Sequence, residues 1–85
     1  MRVDFSKDFK KEYKKLSKKL QAKIDERLLI FMGDKFHPLL DNHQLHGEWH
    51  GYRSVNITGN IRAIYEELGD LTYFVAIGTH PELYS

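Results

Sequence analysis

The sequence predicts an α+β fold in which an N-terminal strand and a two-helix hairpin pack on a three- to four-stranded antiparallel sheet. Three observations predict it. Residues 7–33 place apolar side chains at helical spacing among lysines. Residues 52–77 place them at strand spacing, interrupted by two turn signals. One Trp, five Tyr and five Phe, within a 41% hydrophobic content, suffice for one core in 85 residues, so residues 1–85 are expected to form one domain.

Arg2 to Phe5 alternates polar and apolar residues and suits a short strand. Ser6 is a good helix N-cap, and Asp8 in the first turn complements the helix dipole. Phe9, Tyr13 and Leu16 then recur on one face, with Lys7, Lys11, Lys14, Lys15 and Lys18 turned largely to solvent. Ser17 caps a second helix with the stripe Leu20, Ile24, Leu28 and Phe31, stopped by Gly33 and Asp34. Pro38 keeps His37 out of the helical region, so Lys35 to Asn42 is expected to form a loop or short turn.

The next segment, His43 to Tyr65, holds three of the five histidines, the only Trp and both arginines of the C-terminal half. Leu45, flanked by Gln44 and His46, fits a short strand. Tyr52 to Ile57 and Ile61 to Glu66 read as a hairpin around Thr58-Gly59-Asn60. A three-residue loop puts Val55, Ile57, Ile61, Ala63 and Tyr65 on one face. Tyr52, Ser54, Asn56, Arg62, Ile64 and Glu66 then share the other. Leu68-Gly69-Asp70 is the next turn and Leu71 to Ile77 the most apolar strand. Gly78 is expected to break that strand, and Thr79 to cap a last turn with Pro81 at its first position.

The charge is uneven. Residues 1–35 hold eleven Lys and Arg against six Asp and Glu, while residues 36–85 hold two against six, with all five histidines. A basic helical half suits a nucleic acid or an acidic protein, or simply a solvated face. There is no cysteine, hence neither a disulfide framework nor a Cys-based metal site. No signal-like or membrane-spanning run occurs, so a soluble, cytoplasmic protein without membrane contact is expected.

Two constellations could carry chemistry. His43, His46 and His50 would share a face on a helix and could bind a metal. Gly47, Trp49 and Gly51 argue against a helix there. In an extended segment His46 and His50 share a side and His43 takes the other, so no metal and no cofactor is expected. The second set is Arg53, Asn56 and Arg62 with His80. Arginines in a hairpin need a partner or an anion, Glu66, Glu67 and Asp70 being the available acids for Arg62.

RNA cleavage without a metal needs a base for the 2′-hydroxyl, a cation for the phosphate and an acid for the leaving 5′-oxygen. Histidine and arginine supply these. Tyr52 and Tyr84 could stack on unpaired bases.

These residues carry a family resemblance. His43, the run Leu45-His46-Gly47-x-Trp49-x-Gly51-Tyr52-Arg53, Ile64-Tyr65, and Gly78-Thr79-His80-Pro81-Glu82-Leu83-Tyr84 resemble the RelE/ParE toxin superfamily, most closely its YafQ-like branch. The lysine-rich helices also fit that layout, so the likeness spans nearly the whole chain.

The resemblance implies the toxin of a type II toxin–antitoxin pair, an endoribonuclease acting on mRNA at the translating ribosome. It implies a cognate antitoxin as partner and contact with operator DNA only through that antitoxin. It assigns His80 as general acid, His43 as a second catalytic histidine, Tyr84 as an aromatic near the scissile nucleotides and Arg53 as a phosphate contact. His46, Asn56 and Arg62 are further candidates.

The chain departs from the family at Ser54, Asn56 and Asn60, which stand where YafQ-like enzymes have an acid, a histidine and an acid. Asparagine cannot shuttle a proton near neutrality, so the general base is open. Two alternatives follow: a ParE-like toxin that binds gyrase, or a catalytically weak member acting mainly in the toxin–antitoxin repressor complex. The pairing of His43 with His80 favours the nuclease.

Overall fold

In the computed structural model, which describes residues 1–84, β1 (Arg2–Phe5) leads into α1 (Lys7–Lys15) and α2 (Lys18–Gly33). There follow β2 (His43–Gln44), β3 (Arg53–Asn56), β4 (Ile61–Leu68), β5 (Leu71–Thr79) and α3 (His80–Tyr84). Short 3-10 turns at Pro38–Leu40 and Gly47–Trp49 flank β2.

Both serine caps form. Phe9 N donates to Ser6 Oγ at 3.0 Å, and Leu20 N to Ser17 Oγ at 3.2 Å. Ser6 Oγ also donates to the Val75 carbonyl at 2.9 Å, fastening the start of α1 to β5. Between the helices, Leu16 and Ser17 are extended, which makes the corner of the hairpin.

The sheet order is β1-β5-β4-β3-β2, with β2 to β5 antiparallel. β1 joins as a fifth strand, parallel to β5 from Arg2 opposite Leu71 to Phe5 opposite Phe74. The intervening helical hairpin supplies the long crossover that a parallel neighbour needs.

Phe31 of α2 meets Tyr65 and Phe74 at ring-centroid distances of 5.1 and 5.3 Å, edge to face. All three rings are fully buried. Each such side chain contributes on the order of 1.5–3 kcal/mol by burial, with a further ~1 kcal/mol from ring geometry.

The expected face assignment holds. Val55 pairs with Ala63 and Arg53 with Tyr65, while Ser54 pairs with Ile64 and Asn56 with Arg62. The first pairs look toward the helices and the second toward the opposite face.

Three local expectations change. The strand at Leu45 lies instead at His43–Gln44, because the 3-10 turn Gly47–Trp49 takes the chain out of the sheet. β5 does not end at Gly78 but continues to Thr79. The glycine serves a different need: α3 folds back over it, and a Cβ there would lie 3.2 Å from Glu82 Oε1 and 3.6 Å from Leu83 Cδ2. α3 begins at His80, with Pro81 second. Among the described residues no helix is long and apolar enough to cross a membrane.

Candidate active site

His43 is placed by the turn before it. Asp41 adopts the left-handed conformation, φ 45° and ψ 49°, which Asp tolerates better than most residues. That twist sets the Asp41 carbonyl oxygen 2.8 Å from His43 Nδ1, with its carboxylate Oδ2 at 4.0 Å. A carbonyl can only accept, so Nδ1 carries the hydrogen and Nε2 of the neutral ring keeps its lone pair. The fully buried Leu40 anchors the turn.

His80 arrives from the far end of β5. Its ring lies 4.5 Å, centroid to centroid, from that of Tyr84 one turn later on α3. A capping box braces this short helix: Thr79 N donates to Glu82 Oε1 at 2.7 Å and Glu82 N to Thr79 Oγ1 at 3.4 Å. The bond from the Thr79 backbone N–H foremost, and the Thr79 hydroxyl after it, hold the Glu82 carboxyl below its ordinary pKa. Trp49 Nε1 donates to the Leu83 carbonyl at 3.0 Å and pins α3 to the Gly47–Trp49 turn.

Arg62 stands on β4 opposite Gly78. Its Nη1 donates to the carbonyls of Thr58 and Gly59 at 3.1 and 3.0 Å. These acceptors are neutral and fix the guanidinium without cancelling its charge. Two of the acids that might have neutralised it are taken, Glu67 by Lys35 at 3.0 Å and Asp70 by Arg2 at 3.5 Å.

One open cleft of about 410 Å³ joins these pieces, lined by Asp41, His43, Gln44, Leu45, His46, Arg62, His80 and Tyr84. Five of the seven residues singled out in the sequence, His43, His46, Arg62, His80 and Tyr84, therefore meet in one place.

Arg53 does not meet them. Its place opposite Tyr65 sends it to the helix side of the sheet, where Nε donates to Asn42 Oδ1 at 2.8 Å and the guanidinium sits 5.4 Å over the Phe36 ring. Asn42 in turn donates to the Tyr65 hydroxyl at 2.8 Å and the Lys35 carbonyl at 2.9 Å. Arg53 thus braces a loop and does not line the cleft.

Asn56 shares the face of Arg62 without lining the cleft. Its Oδ1 is buried with no hydrogen-bond partner, as is the Ser54 Oγ opposite His43. The three clustered histidines also separate differently from the extended reading. His43 and His46 share the cleft, while His46 and His50 share a neighbouring cavity. No group of three metal-ligating side chains converges among the described residues.

Sequence reasoning missed Asp41, Gln44 and Leu45 as lining residues and Glu82 as the brace of the tail. Thr79 followed three residues later by Glu82 is a readable capping signature. The αL turn at Asp41 leaves a weaker trace, an Asp two residues before a histidine.

A cation, three histidines and an aromatic around an open cleft suit phosphodiester chemistry, with arginine for the phosphate and imidazoles for proton transfer.

The family model for bacterial toxins of type II toxin–antitoxin systems, YafQ, matches residues 1–85. Among solved structures, YafQ from E. coli strain BL21(DE3) superposes with a TM-score of 0.84 at 22% identity, covering 100% of both chains. A chain of the E. coli DinJ–YafQ toxin–antitoxin complex gives 0.80 at 23%, covering 98% of this chain and 96% of that one. The YoeB/ParE toxin from Agrobacterium tumefaciens gives 0.78 at 20%, covering 94% and 99%. At such identities the likeness establishes a common fold. A comparison with curated proteins finds no match.

Proposed function

The chain belongs to the YafQ family of bacterial toxins of type II toxin–antitoxin systems, and on that premise we propose that it is an endoribonuclease that cleaves mRNA at the translating ribosome. The observation that carries the proposal is the single cleft uniting His43, Arg62, His80 and Tyr84. In this reading His43 Nε2, left free by the bond from Nδ1 to Asp41, takes the proton from a ribose 2′-hydroxyl. The 2′-oxygen attacks the adjacent phosphorus, and Arg62 stabilises the added negative charge. His80 protonates the departing 5′-oxygen, so the products are a 2′,3′-cyclic phosphate and a free 5′-hydroxyl. Tyr84, held against His80, stacks on a base beside the scissile bond. His46 adds a second imidazole, and Arg53 acts through the fold.

The partner in the cell is a cognate antitoxin, as DinJ is for E. coli YafQ, with operator DNA reached only through it. A weaker catalyst serving chiefly in that repressor complex is the second reading. It is favoured by Ser54 and Asn56, whose unpartnered oxygens occupy positions where the family has proton-transfer groups.

Adding the protein to a translating extract and mapping mRNA 5′ ends, beside a DNA supercoiling assay, tests the proposal. Cut mRNA with undisturbed supercoiling is expected. Intact mRNA with blocked supercoiling would overturn it in favour of a gyrase-binding toxin.

A further inference from the structure

Beside the cleft lies a second and more enclosed cavity of about 300 Å³, formed by Gln44, Leu45, His46, His50, Gly51 and Tyr52. We propose that it is a nucleobase subsite, holding one unpaired base of an RNA strand whose phosphate lies in the cleft. The inference rests on the nuclease reading of that cleft and adds where substrate selectivity resides.

Continuity is the first support. Gln44, Leu45 and His46 line both spaces, so His46 forms part of their common wall. A strand bound by its phosphate at Arg62 has the cavity within reach of a neighbouring base.

Size and chemistry are the second. The volume sits at the low end of the ~300–1,000 Å³ range of small-molecule sites, suited to one planar ring system and too small for a folded peptide segment. No Asp, Glu, Lys or Arg lines it, so it selects no ion. The Gln44 amide offers donor and acceptor together, and imidazoles do likewise across their two nitrogens. That combination reads the hydrogen-bonding edge of a base while the rings supply a stacking surface.

Rigidity is the third. Leu45 N donates to the Tyr52 carbonyl at 3.0 Å and Tyr52 N to the Trp49 carbonyl at 3.0 Å, closing the excursion between β2 and β3 on itself. Gly51 turns the rim at φ 92°, a conformation that side-chain-bearing residues rarely adopt. The Tyr52 ring is set edge to face against Trp49, with centroids 5.3 Å apart. The carboxylate of Glu66 nearby raises the pKa of the Tyr52 hydroxyl. The walls are therefore built before any ligand arrives, as a selective pocket requires.

Trp49 is the only Trp in the chain, and its contact with Tyr52 makes its fluorescence a direct reporter. The intact protein is titrated with inorganic phosphate, ribose 5-phosphate and the four nucleoside 3′-monophosphates. One nucleotide is expected to bind at least about five-fold more tightly than ribose phosphate, the low end of what stacking a base confers. His50→Ala and, separately, His50→Leu, at a residue that lines the cavity and not the cleft, should remove that preference and leave inorganic phosphate binding unchanged. Phosphate binding with no effect of the base, or a base preference that survives both substitutions, overturns the subsite alone. Failure of phosphate and every nucleotide to bind overturns the nuclease reading of the cleft and the subsite with it.

Discussion

The indole nitrogen of Trp49 donates to the main-chain carbonyl of Leu83 at 3.0 Å, and that bond ties the C-terminal helix to a turn 34 residues earlier. His80 and Tyr84 both ride on this helix, which is five residues long. So short a helix has no stability of its own; its position depends on this bond and on the capping box.

Trp49→Phe keeps a ring against Tyr52 and deletes the N–H. The Leu83 carbonyl then loses its partner, at a cost of about 1 kcal/mol. Urea denaturation should show a loss of that order, with RNA cleavage reduced by roughly ten-fold as His80 loses its fixed place. Unchanged cleavage would mean that α3 holds its position without Trp49.

Glu82 makes the tail sensitive to acid. Its folded pKa lies below the ordinary 4.5, because the carboxylate accepts from Thr79 N and Thr79 Oγ1. The sign follows: the stabilisation is complete above pH 4.5 and is lost as the pH falls through the depressed folded value. Trp49 fluorescence should therefore record a transition below pH 4.5 in the wild type that is missing in Glu82→Gln. Superimposable acid titrations of the two proteins would refute the brace.

The two hairpin arginines should separate cleanly. Arg53→Ala strips a partner from Asn42 Oδ1 and uncovers Phe36, so it should destabilise the fold by about 1–3 kcal/mol and leave phosphate affinity near wild type. Arg62→Ala removes the cleft's guanidinium and should weaken phosphate binding by about ten-fold or more, with a small effect on stability. Chemical denaturation and phosphate titration on both variants check this, and the reverse pattern would return Arg53 to the site.

Much of this was legible beforehand. Ser6 and Ser17 marked the helix starts, and the alternation from Val55 to Tyr65 gave the two sheet faces. That same alternation places Arg53 with Val55 and Ile57, on the helix side. The phosphate role expected of Arg53 came from the pair of hairpin arginines and from the family pattern, neither of which shows that the side chain turns to Asn42. What could not be read was long-range. The parallel pairing of β1 with β5 and the bond from Trp49 to Leu83 join segments far apart in sequence, with no local signature. The 3-10 turn at Gly47–Trp49 broke the strand periodicity on which the grouping of His46 with His50 against His43 depended.

The central claim is that His43 and His80 move the protons of RNA cleavage in one cleft. Its most direct test is the single-turnover rate of cutting of ribosome-bound mRNA by the wild type, His43→Ala and His80→Ala. Each substitution should slow the cut by about 10²–10⁴-fold while leaving the urea midpoint unchanged. Wild-type-like cutting by both variants would contradict the account.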